Sequence, residues 1–165
     1  MGQEETLTAI AELSLGLAGF SAIVIALGER SGRASVDRLA VIFLLTASFA
    51  TLFLALVPLV FAALGLSESA AFRASSAVMV VVALIWLATM VPPGFRENVL
   101  QPMKKSVFTP IALSLAVANV VLQGVSAAGL TGMSPFGIYL LGLVAYLLGA
   151  AATFFRILLF VTRRS

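Results

Sequence analysis

The sequence predicts an all-α, polytopic membrane bundle, and three observations carry that prediction. Of the 165 residues, 61% are hydrophobic and only 10% charged, whereas a soluble domain needs roughly a quarter charged residues to solvate its surface. The apolar residues gather in five runs of membrane-crossing length. The breaks between the runs, ERSGRASVDR, LSESAAFR, PPGFRENVLQPMKKS and TGMSP, are charged, turn-forming or both.

The runs are Leu7–Gly28, Leu39–Gly65, Ala74–Val91, Val107–Leu130 and Phe136–Phe160. Each is long enough to cross a hydrocarbon core about 30 Å thick at about 1.5 Å per residue. The third is the shortest; if it is re-entrant, or if the last two form one broken hairpin, the count is four. Ser134-Pro135 and Thr109-Pro110 mark helix starts, each pairing a capping hydroxyl with a proline in the first turn. With no internal repeat and no stretch long enough for a soluble domain, residues 1–165 read as a single transmembrane domain.

Basic residues set the orientation. Five spans put Arg30, Arg33, Arg38, Arg96, Lys104, Lys105, Arg163 and Arg164 on one side and Arg73 alone on the other, with Arg156 inside the last span. The positive-inside rule therefore predicts the N-terminus outside and the C-terminus inside, in a cell membrane and most simply a bacterial cytoplasmic one. The acidic start, MGQEE, lacks the basic region of a cleavable signal peptide. In the longest loop, Val99, Leu100 and Met103 beside Lys104 and Lys105 fit a short interfacial turn as well as an ordinary loop.

In the first span, Glu12, Gly16, Gly19, Ile23, Ala26 and Arg30 fall on one line of a helical wheel. The pattern predicts a small face toward protein and a bulky side, with Leu13, Leu17 and Phe20, toward lipid or other helices. Two readings of the small face stand open. It is a packing surface, as glycine and alanine provide between membrane helices, or it lines a pore in which Glu12 attracts cations. Glu12 is the one carboxylate inside any of the five runs.

The second span places Ser48, Thr51, Ala55, Pro58 and Ala62 on one side, with a kink expected near Pro58. In the third, Trp86 shares a line with Met79 and reads as packing. The fourth carries the deepest polar cluster, Asn119, Gln123 and Ser126, uncharged groups that either bond neighbouring helices or line a hydrated path. The fifth offers a flat seam, Gly142, Ala145, Gly149 and Ala152, for helix or subunit contact.

Several functions are excluded. With neither Cys nor His, the chain has no thiolate nucleophile, no Cys/His zinc site and no imidazole acid or base. Paired carboxylates, a Ser–base arrangement and a phosphate-binding glycine loop are also missing, so we expect no catalytic residue, metal or cofactor. The net charge of +3 comes from basic residues scattered at helix ends, which fits anionic lipid rather than nucleic acid.

The stretch GLAGFSAIVIALGE resembles the pore helix of Orai-type calcium channels, and SPFG and FFR in the fifth span are similar to that family's last helix. The resemblance implies a channel with Glu29 in the selectivity role. The chain departs from the family in having five predicted spans rather than four, and acids rather than basic residues before the first. The charge rule also puts Glu29 on the inner side. Taken together, the sequence predicts a homo-oligomeric ion or small-solute channel. The alternative is a non-catalytic subunit or scaffold packed in a larger membrane complex.

Overall fold

A computed structural model describes residues 2–30, 38–90 and 108–162, and these are all-helical. In chain order the helices are α1 (Gln3–Arg30), α2 (Arg38–Ala63), α3 (Glu68–Met90), α4 (Phe108–Ala127) and α5 (Pro135–Thr162). The predicted interfacial turn at Val99–Met103 lies outside the described residues, as do Arg33, Arg96, Lys104, Lys105, Arg163 and Arg164.

Four helices are long and apolar enough to cross a membrane: Gln3–Ile23, Val41–Ala63, Glu68–Ala88 and Pro135–Phe155. Only 28–39% of the residues in these windows are buried within the protein. Large apolar side chains such as Phe53, Leu115 and Leu148 stand more than 60% exposed. Water would disfavour so much open apolar surface, and lipid does not. The chain is a multi-pass helical membrane protein. The fifth expected span rests on α4, which is 20 residues long, about 30 Å at the α-helical rise; its described apolar stretch is Ser114–Ala127.

The helices start and stop where local chemistry directs. At α1, Gly2 is the cap: its carbonyl accepts the Thr6 N–H at 3.1 Å, and Glu5 reaches back to the Gly2 N–H at 2.9 Å. This is half of a capping box, and it starts α1 four residues before the apolar run. At α5, the Ser134 hydroxyl accepts the Gly137 N–H at 3.4 Å, with Pro135 in the first helical position as expected. Pro110 falls within the first turn of α4.

α2 and α4 end alike. Gly65 (φ +88°) and Gly129 (φ +71°) take the left-handed conformation. Leu66 N–H donates to the Phe61 carbonyl and Leu130 N–H to that of Val125, while the two glycine N–H groups donate to Ala62 and Ser126. Both are Schellman endings, which need a residue without Cβ at this position. α2 continues through Pro58 to Ala63.

One boundary corrects the sequence reading. SESAAFR, read as part of a break, instead opens α3 at Glu68. Ser67 accepts the first helical N–H, from Ala71, at 2.8 Å, and an acid in the first turn favours a helix start. The shortest predicted span thus belongs to a 23-residue helix, and its polar beginning had hidden its length.

The chain divides into two compact units, Met1–Val60 with Leu143–Ser165, and Phe61–Gly142. In the first, Leu44 and Ala47 of α2 pack with Ala150 and Phe154 of α5, and Leu17 of α1 lies against them. Phe20 meets Phe154 edge-on with ring centroids 5.6 Å apart. In the second, α3 packs along α4, and Phe72 meets Phe136 edge-on at 5.2 Å. Edge-to-face pairs of this kind add modestly to the apolar burial itself.

Candidate functional site

Two arrangements carry polar chemistry at membrane depth, one in each unit. The first is the outward face of α1. Leu7, Ile10, Ala11, Ser14, Ala18 and Ser21 are buried, and on a helical wheel they oppose the line of Glu12, Gly16, Gly19, Ile23 and Ala26. All five residues of that line are exposed. Nothing lies within 4 Å of where a side chain would begin at Gly16 or Gly19. Among the described residues, no side chain packs over Gly16 or Gly19. α1 instead packs through a serine–alanine face that the sequence reading did not single out.

The reason is how buried hydroxyls are satisfied. Ser14 Oγ donates to the Ile10 carbonyl at 2.8 Å, and Ser21 Oγ to that of Leu17. A serine that bonds its own helix one turn back becomes a small, nearly apolar packing residue. The 3-4-3 spacing of Ala11, Ser14, Ala18 and Ser21 was the available signal. The glycines drew attention away from it.

At the edge of this line, where it meets the bulky side of α1, Ala9, Glu12, Leu13, Gly16, Leu17 and Phe20 border a groove of about 650 Å³. Every lining residue comes from α1, so this is a surface recess left by Gly16 rather than an enclosed cavity. Glu12 lies nine residues from the start of α1, about two and a half turns along it, and five residues into the apolar run that begins at Leu7. Arg30 closes α1, and the side chains of Glu29, Arg30 and Arg156 are outside the described residues.

The second arrangement is the polar cluster of α4. Gln123 is fully buried and Ser126 nearly so, while Asn119 is half-buried. Gln123 Nε2 donates to the Ile138 carbonyl of α5 at 2.8 Å and, more weakly, to Asn119 Oδ1 at 3.4 Å. Gly142 makes this possible. It lies one turn after Ile138, and a Cβ there would clash with Gln123 Nε2 and stand 2.6 Å from the Met79 sulfur. The missing side chain is the space in which the carboxamide reaches the α5 backbone. Ser76 Oγ, Gln123 Oε1 and Ser126 Oγ, all buried, have no hydrogen-bond partner among the described residues.

The predicted seam on α5 does not act as one surface. Gly142 is buried against α3 and α4 side chains. Ala145 and Ala152 are exposed, and Gly149 has open space beside it. On α2 the predicted polar side is the buried one from Ser48 to Pro58, whereas Ala62 is exposed. Among the described residues no group of three or more acidic side chains is placed to hold a metal ion. Compared with protein-family models, with curated proteins and with solved structures, the chain matches none.

Proposed function

We propose that copies of this chain assemble around a path for an ion or small polar solute, with Glu12, Gly16, Gly19, Ile23 and Ala26 of α1 facing that path. The observation that carries this reading is Glu12, an exposed carboxylate five residues into the apolar run of α1 and opposite the face by which the helix packs. In hydrocarbon such a group is costly unless it meets water or a partner. A ring of identical chains supplies water to one such face per subunit, and a chain of 165 residues has little interior to spare for a path of its own.

The basic residues set the direction: amino terminus outside, carboxyl terminus inside, in a cell membrane of bacterial type. Cation flux into liposomes reconstituted with the protein tests the reading. Glu12→Gln should lower the flux at least tenfold while the oligomer keeps its size. Undiminished flux through an intact oligomer overturns it.

A second reading is favoured by the open side of α5. Ala145, Gly149 and Ala152 offer the close backbone approach that a larger membrane complex would use, and the chain would then be a non-catalytic subunit. Mild solubilisation should in that case recover a stoichiometric partner. A homo-oligomer with a central opening counts against it.

A further inference from the structure

Buried hydroxyls in this protein have two fates. Ser14, Thr51 and Ser75 turn back to the carbonyl four residues earlier, at 2.7–2.8 Å. Ser76, the neighbour of Ser75, does not; nor does Ser126, and each Oγ is fully enclosed without a partner among the described residues. Gln123 Oε1 is in the same state although its Nε2 is well bonded. A buried polar atom left without a bond is destabilising, so such atoms are normally partnered by protein or by ordered water.

The register of α3 against α4 places these residues in the same stretch of the unit. Met79 and Gln123 both lie against Gly142, and the Arg73 guanidinium lies against Gly129. The later residue of α3 thus pairs with the earlier residue of α4, so the two helices run antiparallel. In sequence Ser76 falls midway between Arg73 and Met79, and Ser126 midway between Gln123 and Gly129, which sets the two serines in corresponding turns of the two helices. Both serines are at most 1% exposed, and α3 packs along α4.

We propose that one or two water molecules are bound inside the Phe61–Gly142 unit, bridging Ser76 Oγ, Ser126 Oγ and Gln123 Oε1. The donor count favours water. The carboxamide oxygen only accepts, whereas each hydroxyl both donates and accepts. Water, with two donors and two acceptors, completes all three and typically makes about three bonds when buried. The set contains no carboxylate, so it is poorly suited to a divalent cation. The inference does not rest on the channel reading.

Radiolytic hydroxyl-radical labelling of the intact protein in detergent tests it. Radicals form where water is, and the thioether of a neighbouring methionine is oxidised to the sulfoxide. Met79, beside Gln123, is 1% exposed and Met133 is 58% exposed. Both should be labelled in the native protein despite the burial of Met79. The double variant Ser76→Ala, Ser126→Ala should lower Met79 labelling at least threefold and leave Met133 unchanged. Labelling of Met133 without Met79 in the native protein overturns the proposal, and so does Met79 labelling that the double variant leaves unaltered.

Discussion

A methyl group at Gly142 would stand where the Gln123 amide and the Met79 sulfur now meet the α5 backbone. Neither neighbour is free to retreat, because Gln123 is held by the Ile138 carbonyl and Met79 is buried. Gly142→Ala should therefore destabilise the protein by about 1–3 kcal/mol, the usual cost of overpacking, read as a lower unfolding midpoint in detergent. Gly65→Ala meets no neighbour but must adopt φ +88°. It should cost about 1–2 kcal/mol from backbone conformation alone. Gly129→Ala adds a contact with the Arg73 guanidinium, the mobile end of an exposed side chain, and should fall close to Gly65→Ala. Equal losses at Gly142 and at the open Gly149 would contradict this ranking.

At the scale of the helix, α1 separates two kinds of small residue. Ala11, Ser14, Ala18 and Ser21 are buried, and Gly16 and Gly19 face outward over open space. Gly16→Leu or Gly19→Leu should leave the unfolding midpoint of the chain unchanged or slightly raised, since leucine is the better helix former. The same variants should dissociate the proposed oligomer, as measured by light scattering in detergent. An oligomer of unaltered mass in both would remove α1 from the assembly surface. Sequence periodicity located the α1 line but not which side packs. Burial of Ser14 and Ser21 depends on hydroxyls bonding their own helix, and composition counts those residues as polar. The start of α3 was hidden in the same way, because SESAAFR reads as a break until Ser67 and Glu68 are seen as the opening of a helix. By contrast the ends at Gly65 and Gly129, and the start at Ser134-Pro135, follow from requirements visible in single residues.

For the molecule as a whole, helical class was legible because hydropathy alone decides the solvent. A mean hydropathy of +1.14 and spans that are mostly unburied require lipid around the chain. Alkaline carbonate washing of membranes should leave the protein in the pellet and only detergent should release it; recovery in the supernatant would contradict a membrane-spanning fold. The role of the α4 cluster was not legible, since a wheel shows that Asn119, Gln123 and Ser126 share a side but not that Gly142 opens a place for the Gln123 amide. The central question for the molecule is whether the outward face of α1 meets water. The chain has no cysteine, so single thiols can be placed along α1 without background. The decisive measurement is their reaction with a membrane-impermeant methanethiosulfonate in sealed vesicles. Glu12→Cys, Gly16→Cys, Gly19→Cys and Ile23→Cys should react and alter ion flux, while Leu13→Cys and Ser14→Cys stay unmodified, because thiolates form only where water reaches. Protection of all four stripe positions, or equal reaction around the whole helix, would contradict it.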